Sequence, residues 1–523
     1  MVRFLNVYTI TLFVALSGLL FGFDISSMSG IIGTVQYQNF YGNPLGVLQG
    51  AITSAMAAGS FVGSISASVL GDKVSRKIAI QGATILWCIG AVLQSSSNGV
   101  AMLIAGRLIA GLCIGLTSSL VPIYQSEIAP RKIRGRVVSF QQFAITAGVL
   151  IQYLIQYGCS FLESEAAFRL PWAIQTLPAI ILFIGLFWFP YSPRWLAKKN
   201  RWEEVLQVLA FLRTPNSNIN DPLVLAEYKE IEDQIHVELE EVSSSFRALY
   251  SPKLRKRVFL ALAIQMWGQL TGINVAMYYI AYLLKAAGFG DVRVASLIQY
   301  IIGMLMTIPS ILWTDHFGRR PALLIGSIAM TLWLSLIGGL LMQYGQPNPI
   351  SNQPYTWLVM NRPAVSRAIL AFIYLDVAFF NLCWGPLIWI YPPEIVPLRV
   401  RATSVSLAVA SNWAINFALA LAVPPMFRSI SWRMFFIFAS FNFAAFIHVL
   451  IAAPETMQRT LEEMDEVFEH GAPLWRSIRY KPATNKLDLL AHDIELSMSR
   501  STRSAPTEIS DDECLDRCSS GYC

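Results

Sequence analysis

The sequence predicts an all-α membrane protein, with twelve transmembrane helices in two sets of six joined by a helical linker that faces water. Three observations predict it. Of the 523 residues 54% are hydrophobic and only 14% charged, whereas a soluble domain averages about 25% charged residues. Apolar runs of about 20 residues, enough to cross ~30 Å of hydrocarbon, recur along the chain. Short polar motifs between those runs appear twice, at matching places in the two halves.

Taken in order, the apolar runs fall at 7–28, 47–70, 78–94, 100–123, 137–157 and 171–189, bounded by charges, prolines and asparagines. A polar stretch, 191–257, follows, and its segments 202–213 and 227–241 have the one-sided apolar pattern of water-facing helices. Six more runs lie at 258–284, 294–314, 321–342, 368–390, 402–423 and 432–453. The chain therefore divides into a first six-helix bundle (1–190), a cytoplasmic helical linker (191–257), a second six-helix bundle (258–453) and a tail (454–523). The first run continues past Gly18 to Gly33 without a small-residue cleavage site, so it reads as a retained helix. The tail opens with an acidic run, 461–469, and then turns rich in Ser, Arg and Asp, a composition that stays largely disordered. Its Cys514, Cys518 and Cys523 have no Cys-x-x-Cys pair or histidine beside them and read as plain thiols.

The net charge of +6 is topological. The basic residues cluster in short connections (72–77, 124–136, 315–320 and 399–401), and the positive-inside rule places those connections and both termini in the cytoplasm. No nucleic-acid partner is implied, only lipid. Phosphate-cradling loops, catalytic triads and metal-ligand spacings are missing. An enzyme, an ATP-driven pump, a metal site and a bound cofactor are thereby excluded from the expectation.

The repeat is the main organisational signal. Asp72-Lys-Val-Ser-Arg-Lys77 between runs two and three answers Asp315-His-Phe-Gly-Arg-Arg320 between runs eight and nine. Glu127-Ile-Ala-Pro130 with Arg134 answers Glu394-Ile-Val-Pro397 with Arg401. Parallel repeats of this kind place a substrate at their interface, near the bilayer midplane. Gly59 with Gly63 and Gly111 with Gly115 have the four-residue spacing that lets helices approach closely.

Four ionisable residues lie inside apolar runs: Asp24, Arg107, Asp376 and His448. An unpaired Asp or Arg there costs roughly 2.5–3.5 kcal/mol, so each needs a partner or water. Asp24 lies about 25 Å along its helix from the inner end and Arg107 about 10 Å below the outer end of run four, hence at similar depth. They are expected to pair. Asp376 reads equally as a structural residue bonded to a Tyr or Asn and as a second proton site. His448 reads as a packing residue.

Gly18-Leu-Leu-Phe-Gly-Phe-Asp24, Gly106-Arg107, Gln141-Gln-Phe143, Ser192-Pro-Arg194, Gln269-Leu-Thr-Gly-Ile-Asn274, Gly318-Arg-Arg320, Trp384-Gly-Pro386 and Pro454-Glu-Thr456 occur in order across the runs. With the repeated motifs, this series resembles the sugar porter branch of the major facilitator superfamily, and looks closest to fungal monosaccharide permeases. The resemblance implies two six-helix bundles rocking around a central sugar site in a multi-pass plasma-membrane protein. It also implies a substrate, a monosaccharide of the hexose class such as glucose, and protons as the coupling ion. A facilitative uniporter and a non-transporting sugar sensor are the alternatives.

Residue by residue, the resemblance implies that Gln142, Gln269, Asn274, Trp384 and Asn412 bind sugar, with Phe21, Tyr278 and Tyr279 walling the pocket. These types suit the task, because a sugar offers hydroxyls and apolar ring faces; the alternative is that the amides bond neighbouring helices and the aromatics pack. Gln269 and Asn274 are five apart and share a side only if the helix breaks, for which Thr271-Gly272 is the place. Asp24 and Arg107 match the pair tied to proton coupling, with a purely structural ion pair as the alternative. Asp72, Arg76, Glu127, Arg134, Arg194, Asp315, Arg319, Glu394, Arg401 and Glu455 match a cytoplasmic gate that locks the outward-facing state. The chain departs from the pattern at Ser68 and Ser75, where glycines are usual, and at Tyr191, where a glutamate is usual. Gly268 and Gly303 stand where an amide often occurs, which implies fewer donors to the sugar ring.

Overall fold

The structure is a computed structural model that describes residues 6–32, 34–42, 44, 47–130, 133–214, 216–240, 249, 251–278, 280–287, 292–347, 357–359 and 362–457, with 464, 468 and 496. Tyr279, Glu241, nearly all of the acidic run 461–469 and the cysteines at 514, 518 and 523 lie outside the described residues.

Twelve helices among the described residues are long and apolar enough to cross a membrane. Spans one to six are Val7–Ile31, Val47–Lys73, Arg76–Ser95, Val100–Ile128, Arg134–Cys159 and Ala166–Trp188. Spans seven to twelve are Leu254–Tyr278, Val292–Phe317, Arg319–Tyr344, Pro363–Ile395, Val400–Ser429 and Arg433–Ala452. Most run a turn or more beyond the apolar stretches read from sequence, because a helix continues until its terminal backbone groups find caps or water. Their exposed flanks are apolar: Phe61, Ile65 and Val69 on span two, Leu305, Ile308 and Leu312 on span eight, and Phe443, Ile447 and Ile451 on span twelve. Such stripes on a soluble protein would be aggregation sites, but they suit lipid.

The chain divides into two compact units. The larger contains all twelve spans, since span two packs along span eleven and span five along span eight. The close-contact glycines act as their spacing suggests: a Cβ on Gly59 would lie 2.1 Å from Leu108 O, and one on Gly115 2.0 Å from Ser60 O. The linker read as 191–257 contracts to Leu196–Glu240 as a unit of its own, and the helix of span seven already begins at Pro252. Within that unit helices Trp202–Arg213 and Pro222–Glu240 are clamped by a two-pronged Arg213–Glu227 pair with both bonds at 2.7 Å. A small antiparallel ribbon pairs Gly345–Pro347 with Trp357–Val359.

The departure at Ser75 has a backbone consequence. Gly318, its counterpart in the second half, has φ +93°, and Ser75 is forced to φ 140°. Its hydroxyl accepts from Ile78 N at 3.2 Å as a helix cap. Ser75, with ψ 159°, sits in an extended positive-φ region open essentially to glycine alone, which costs a residue with a Cβ about 1–3 kcal/mol, while exchanging a serine cap for glycine costs only a few tenths. Ser75→Gly is therefore expected to raise the thermal unfolding midpoint in detergent, by a gain of about 0.5–1 kcal/mol after glycine's extra chain entropy is counted. A lower midpoint would contradict this account.

Candidate functional site

The site grows from the interruption of two helices. Span seven breaks where the sequence suggested: the helix Pro252–Leu270 ends at Thr271, Gly272 takes φ +90°, and helix resumes at Ile273–Tyr278. Only glycine adopts that angle without strain, and a Cβ there would also touch the Phe438 ring at 3.0 Å. The break turns Asn274 back so that its Nδ2 donates to Gln269 Oε1. Span ten carries a π-helical turn, Phe380–Trp384. Such turns often mark functional sites because the extra residue re-aims the side chains after it.

Around the break the buried amides bond one another. Gln269 Nε2 donates to Asn412 Oδ1 at 2.9 Å, and Asn416 Nδ2 donates to Gln269 Oε1 at 3.2 Å. Asn412 Nδ2 donates to Gln265 Oε1 at 2.7 Å. From the first half Gln142 Nε2 donates to Asn381 Oδ1 at 3.2 Å and Gln142 Oε1 accepts from the Trp389 indole at 3.0 Å. Phe21 lies edge-on to Trp389 and Trp413, with ring centroids 6.4 and 5.0 Å away. The result is a belt of amides with an aromatic wall, spanning both halves.

The structure brings Gln142, Gln269, Asn274, Asn412 and Phe21 into this belt, but Trp384 is turned away. Its indole N–H donates to Leu323 O at 3.1 Å and Ser327 Oγ at 3.0 Å on span nine. Trp389 takes the place beside Gln142, one helical turn beyond Gly385, where an added Cβ would lie 2.9 Å from Gln142 Nε2. Sequence reasoning also missed Gln265, Asn381, Trp413 and Asn416. Two of these had a signal: Gln265 with Gln269 and Asn412 with Asn416 stand one helical turn apart and share a face. The amide absent at Gly303 is offset by Asn381, whose Nδ2 lies 3.3 Å from where a Cβ on Gly303 would sit.

Asp24 and Arg107 pair as their depths suggested, Arg107 Nη2 donating to Asp24 Oδ2 at 3.0 Å with both side chains fully buried. Asp24 Oδ1 and Arg107 Nε and Nη1 make no hydrogen bond among the described residues. Tyr278 joins the pair to the amide belt, since it hydrogen-bonds Asn416 and lies within electrostatic reach of Asp24 and Arg107. His448 accepts from the Trp267 indole at 3.0 Å, in keeping with a packing role.

At the face that carries the basic connections, the repeat becomes a duplicated ion-pair motif. Arg76 bridges Asp72 (3.0 Å) and Glu127 (3.2 Å), and Arg319 bridges Asp315 (2.9 Å) and Glu394 (3.1 Å). Ser192 and Thr456 donate their hydroxyls to Glu127 and Glu394, both at 2.5 Å. Tyr124 and Tyr391 bond Pro190 O and Pro454 O at 2.7 and 2.8 Å. Arg134, Arg194 and Arg401 are buried in the same region. The copies differ where the sequence departs. Glu455 accepts the backbone N–H groups of Arg319 (2.9 Å) and Arg320 (3.1 Å), an anion on a helix start, whereas its counterpart Tyr191 stacks on Trp195 beneath Lys77 Nζ.

This face is latched between the halves. The N–H groups of Gly135 and Arg136 donate to the Asp315 carboxylate at 3.1 and 2.9 Å. Gly135 permits the approach, because a Cβ there would lie 2.3 Å from Asp315 Oδ1. Towards the other face Tyr300 donates to Ser29 Oγ at 3.0 Å. Beyond that contact a cavity of about 740 Å³ is lined by Gln36, Gln156, Lys285 and Arg293 among others.

Comparison with known proteins adds four findings. The sequence model of the family described as "Sugar (and other) transporter" matches residues 10–468. A relative from Aspergillus flavus, "MFS glucose transporter mfs1", is 50% identical over 500 residues, covering 93% of this chain and 94% of that protein. A "High-affinity glucose transporter" of Kluyveromyces lactis is 40% identical, with 93% and 91% covered. Among solved structures, the proton:xylose symporter XylE bound to 6-bromo-6-deoxy-D-glucose superposes with a TM-score of 0.77 at 24% identity, covering 88% of this chain and 99% of that one.

Proposed function

From the premise that this chain belongs to the sugar (and other) transporter family, we propose that it carries a hexose such as glucose across the membrane by alternating access, in symport with protons. The observation that carries the sugar reading is the amide belt. Five or more amides on spans five, seven, ten and eleven offer donors and acceptors to a ring of hydroxyls, and Phe21, Trp389 and Trp413 offer faces to its C–H surface. Belt residues come from both halves, so sugar bound there touches both and a rocking motion exposes it to one face at a time.

Proton coupling rests on the Asp24–Arg107 pair. Asp24 is the buried carboxyl that the coupled proton would occupy, and Arg107, 3.0 Å away, is the partner that must give way for it to do so. The route to the sugar runs through Tyr278 and Asn416 to Gln269. The Asp315 latch holds the basic face shut while the other side is used, and the cluster of Lys and Arg at that face supports its placement in the cytoplasm, with both termini, at the plasma membrane.

Uptake of radiolabelled glucose by proteoliposomes, with and without an acidic exterior, tests the reading. A symporter accumulates sugar only with the gradient. Equal, non-concentrating uptake under both conditions identifies a facilitator, and saturable binding without flux identifies a sensor.

A further inference from the structure

We propose that Asp376 is a second proton-binding site, which holds a proton while the outer part of span seven is packed against spans nine, ten and twelve and gives it to water when that part swings about Gly272. Asp376 lies on span ten, 4% exposed, one turn before the π-helical segment that supplies Asn381 to the amide belt. Its Oδ1 has no hydrogen-bond partner among the described residues, so no described Tyr or Asn donates to that oxygen.

The carboxyl borders a hollow of about 20 Å³. Gly272 and Ala276 face it from span seven, Leu334 from span nine, Ile373 from span ten, and Phe435 and Phe438 from span twelve. Every lining residue other than Asp376 is apolar or glycine. Among the described residues, Tyr374 on the same helix donates to Ala295 O at 2.8 Å, Tyr278 bonds Asn416, His448 bonds Trp267, Arg433 lies over Trp432, and Lys285 is exposed at the far end of the segment. Among the described residues no cation compensates a carboxylate in this place, and none donates to Oδ1. A bare anion in such surroundings is far more costly than the neutral acid. The hollow has the size of a single water molecule, enough to relay a proton but too small for a hydrated cation.

The coupling to motion lies in the make-up of the walls. Gly272 is the hinge of span seven, and the helix beyond it supplies Ala276 to the hollow. Swinging that helix outward opens the carboxyl to water, which solvates the anion and takes the proton. Closure reverses the step, as hydronium protonates a carboxylate oxygen to re-form the O–H bond. One proton moves and no electrons do. The site is separate from Asp24, which lies on span one against Arg107. The swing rests on the transport cycle proposed above, whereas protonation does not.

Infrared difference spectroscopy of the purified full-length protein in lipid reads the protonation directly, as the carbonyl stretch of an unbonded carboxylic acid that shifts in deuterium oxide. The band is expected in the wild type and in Asp24→Asn, and lost in Asp376→Asn, whose neutral amide mimics the acid and preserves the fold. Glucose counterflow at rising pH is expected to slow in the wild type and to lose that alkaline slowing in Asp376→Asn. A band that survives in Asp376→Asn, or a wild-type pH profile in that variant, overturns the proposal. Counterflow absent from the wild type while the band still depends on Asp376 sinks the transport reading and leaves the proton site standing.

Discussion

Asp24→Asn is expected to abolish glucose accumulation while sparing exchange. One pH unit and a tenfold sugar gradient are each worth about 1.4 kcal/mol, so one proton per sugar sustains about tenfold accumulation under such a gradient. Asparagine cannot carry the proton, and the ratio should fall to about one. The substitution also leaves Arg107 buried without its carboxylate, and breaking a buried pair costs about 3–5 kcal/mol of stability. Counterflow controls for this, since a variant that exchanges labelled sugar is folded and binds. Preserved exchange with lost accumulation is the expected outcome. Several-fold accumulation in the variant would remove Asp24 from the coupling role.

Gln269→Ala is expected to weaken glucose binding on the order of 10- to 100-fold. Gln269 is the hub of the belt, in contact with Asn274, Asn412 and Asn416. Each neutral hydrogen bond contributes about 0.5–1.5 kcal/mol, and leaving a buried partner unsatisfied adds more, so a total of about 1–3 kcal/mol is reasonable. Gln142→Ala should fall in the same range, through loss of contact with Asn381 and Trp389. Trp389→Ala should weaken binding as well, whereas Trp384→Phe should leave affinity near the wild-type value because its indole bonds span nine. Sugar binding to detergent-purified protein, measured by calorimetry, separates the cases. Wild-type affinity in both glutamine variants would sink the site.

The duplicated ion-pair motif was legible in the sequence, because Asp, Arg and Glu recur at fixed offsets and a repeated sequence folds into a repeated structure. Tyr191 stood out for the same reason, as the position where the copies differ. The pairing of Asp24 with Arg107 was legible too, since helix rise fixes depth and buried opposite charges at one depth seek each other. Trp384 came from the resemblance alone, and nothing in the sequence shows that its indole is engaged by Leu323 O and Ser327 Oγ of span nine.

What the sequence by itself determined, then, was the set of spans, their repeat and the charge pairs, all governed by local hydropathy, helix geometry and the penalty for charge in lipid. Only the tertiary structure decided which amides meet. Gln142 with Asn381, and Gln269 with Asn412 and Asn416, are joined across helices more than a hundred residues apart in sequence, and side-chain hydrogen bonds have no signature in hydropathy. The same holds for Asp376. That its Oδ1 has no hydrogen-bond partner among the described residues is a property of the apolar neighbours that spans seven, nine and twelve place around it, and only packing in three dimensions could fix which neighbours those are.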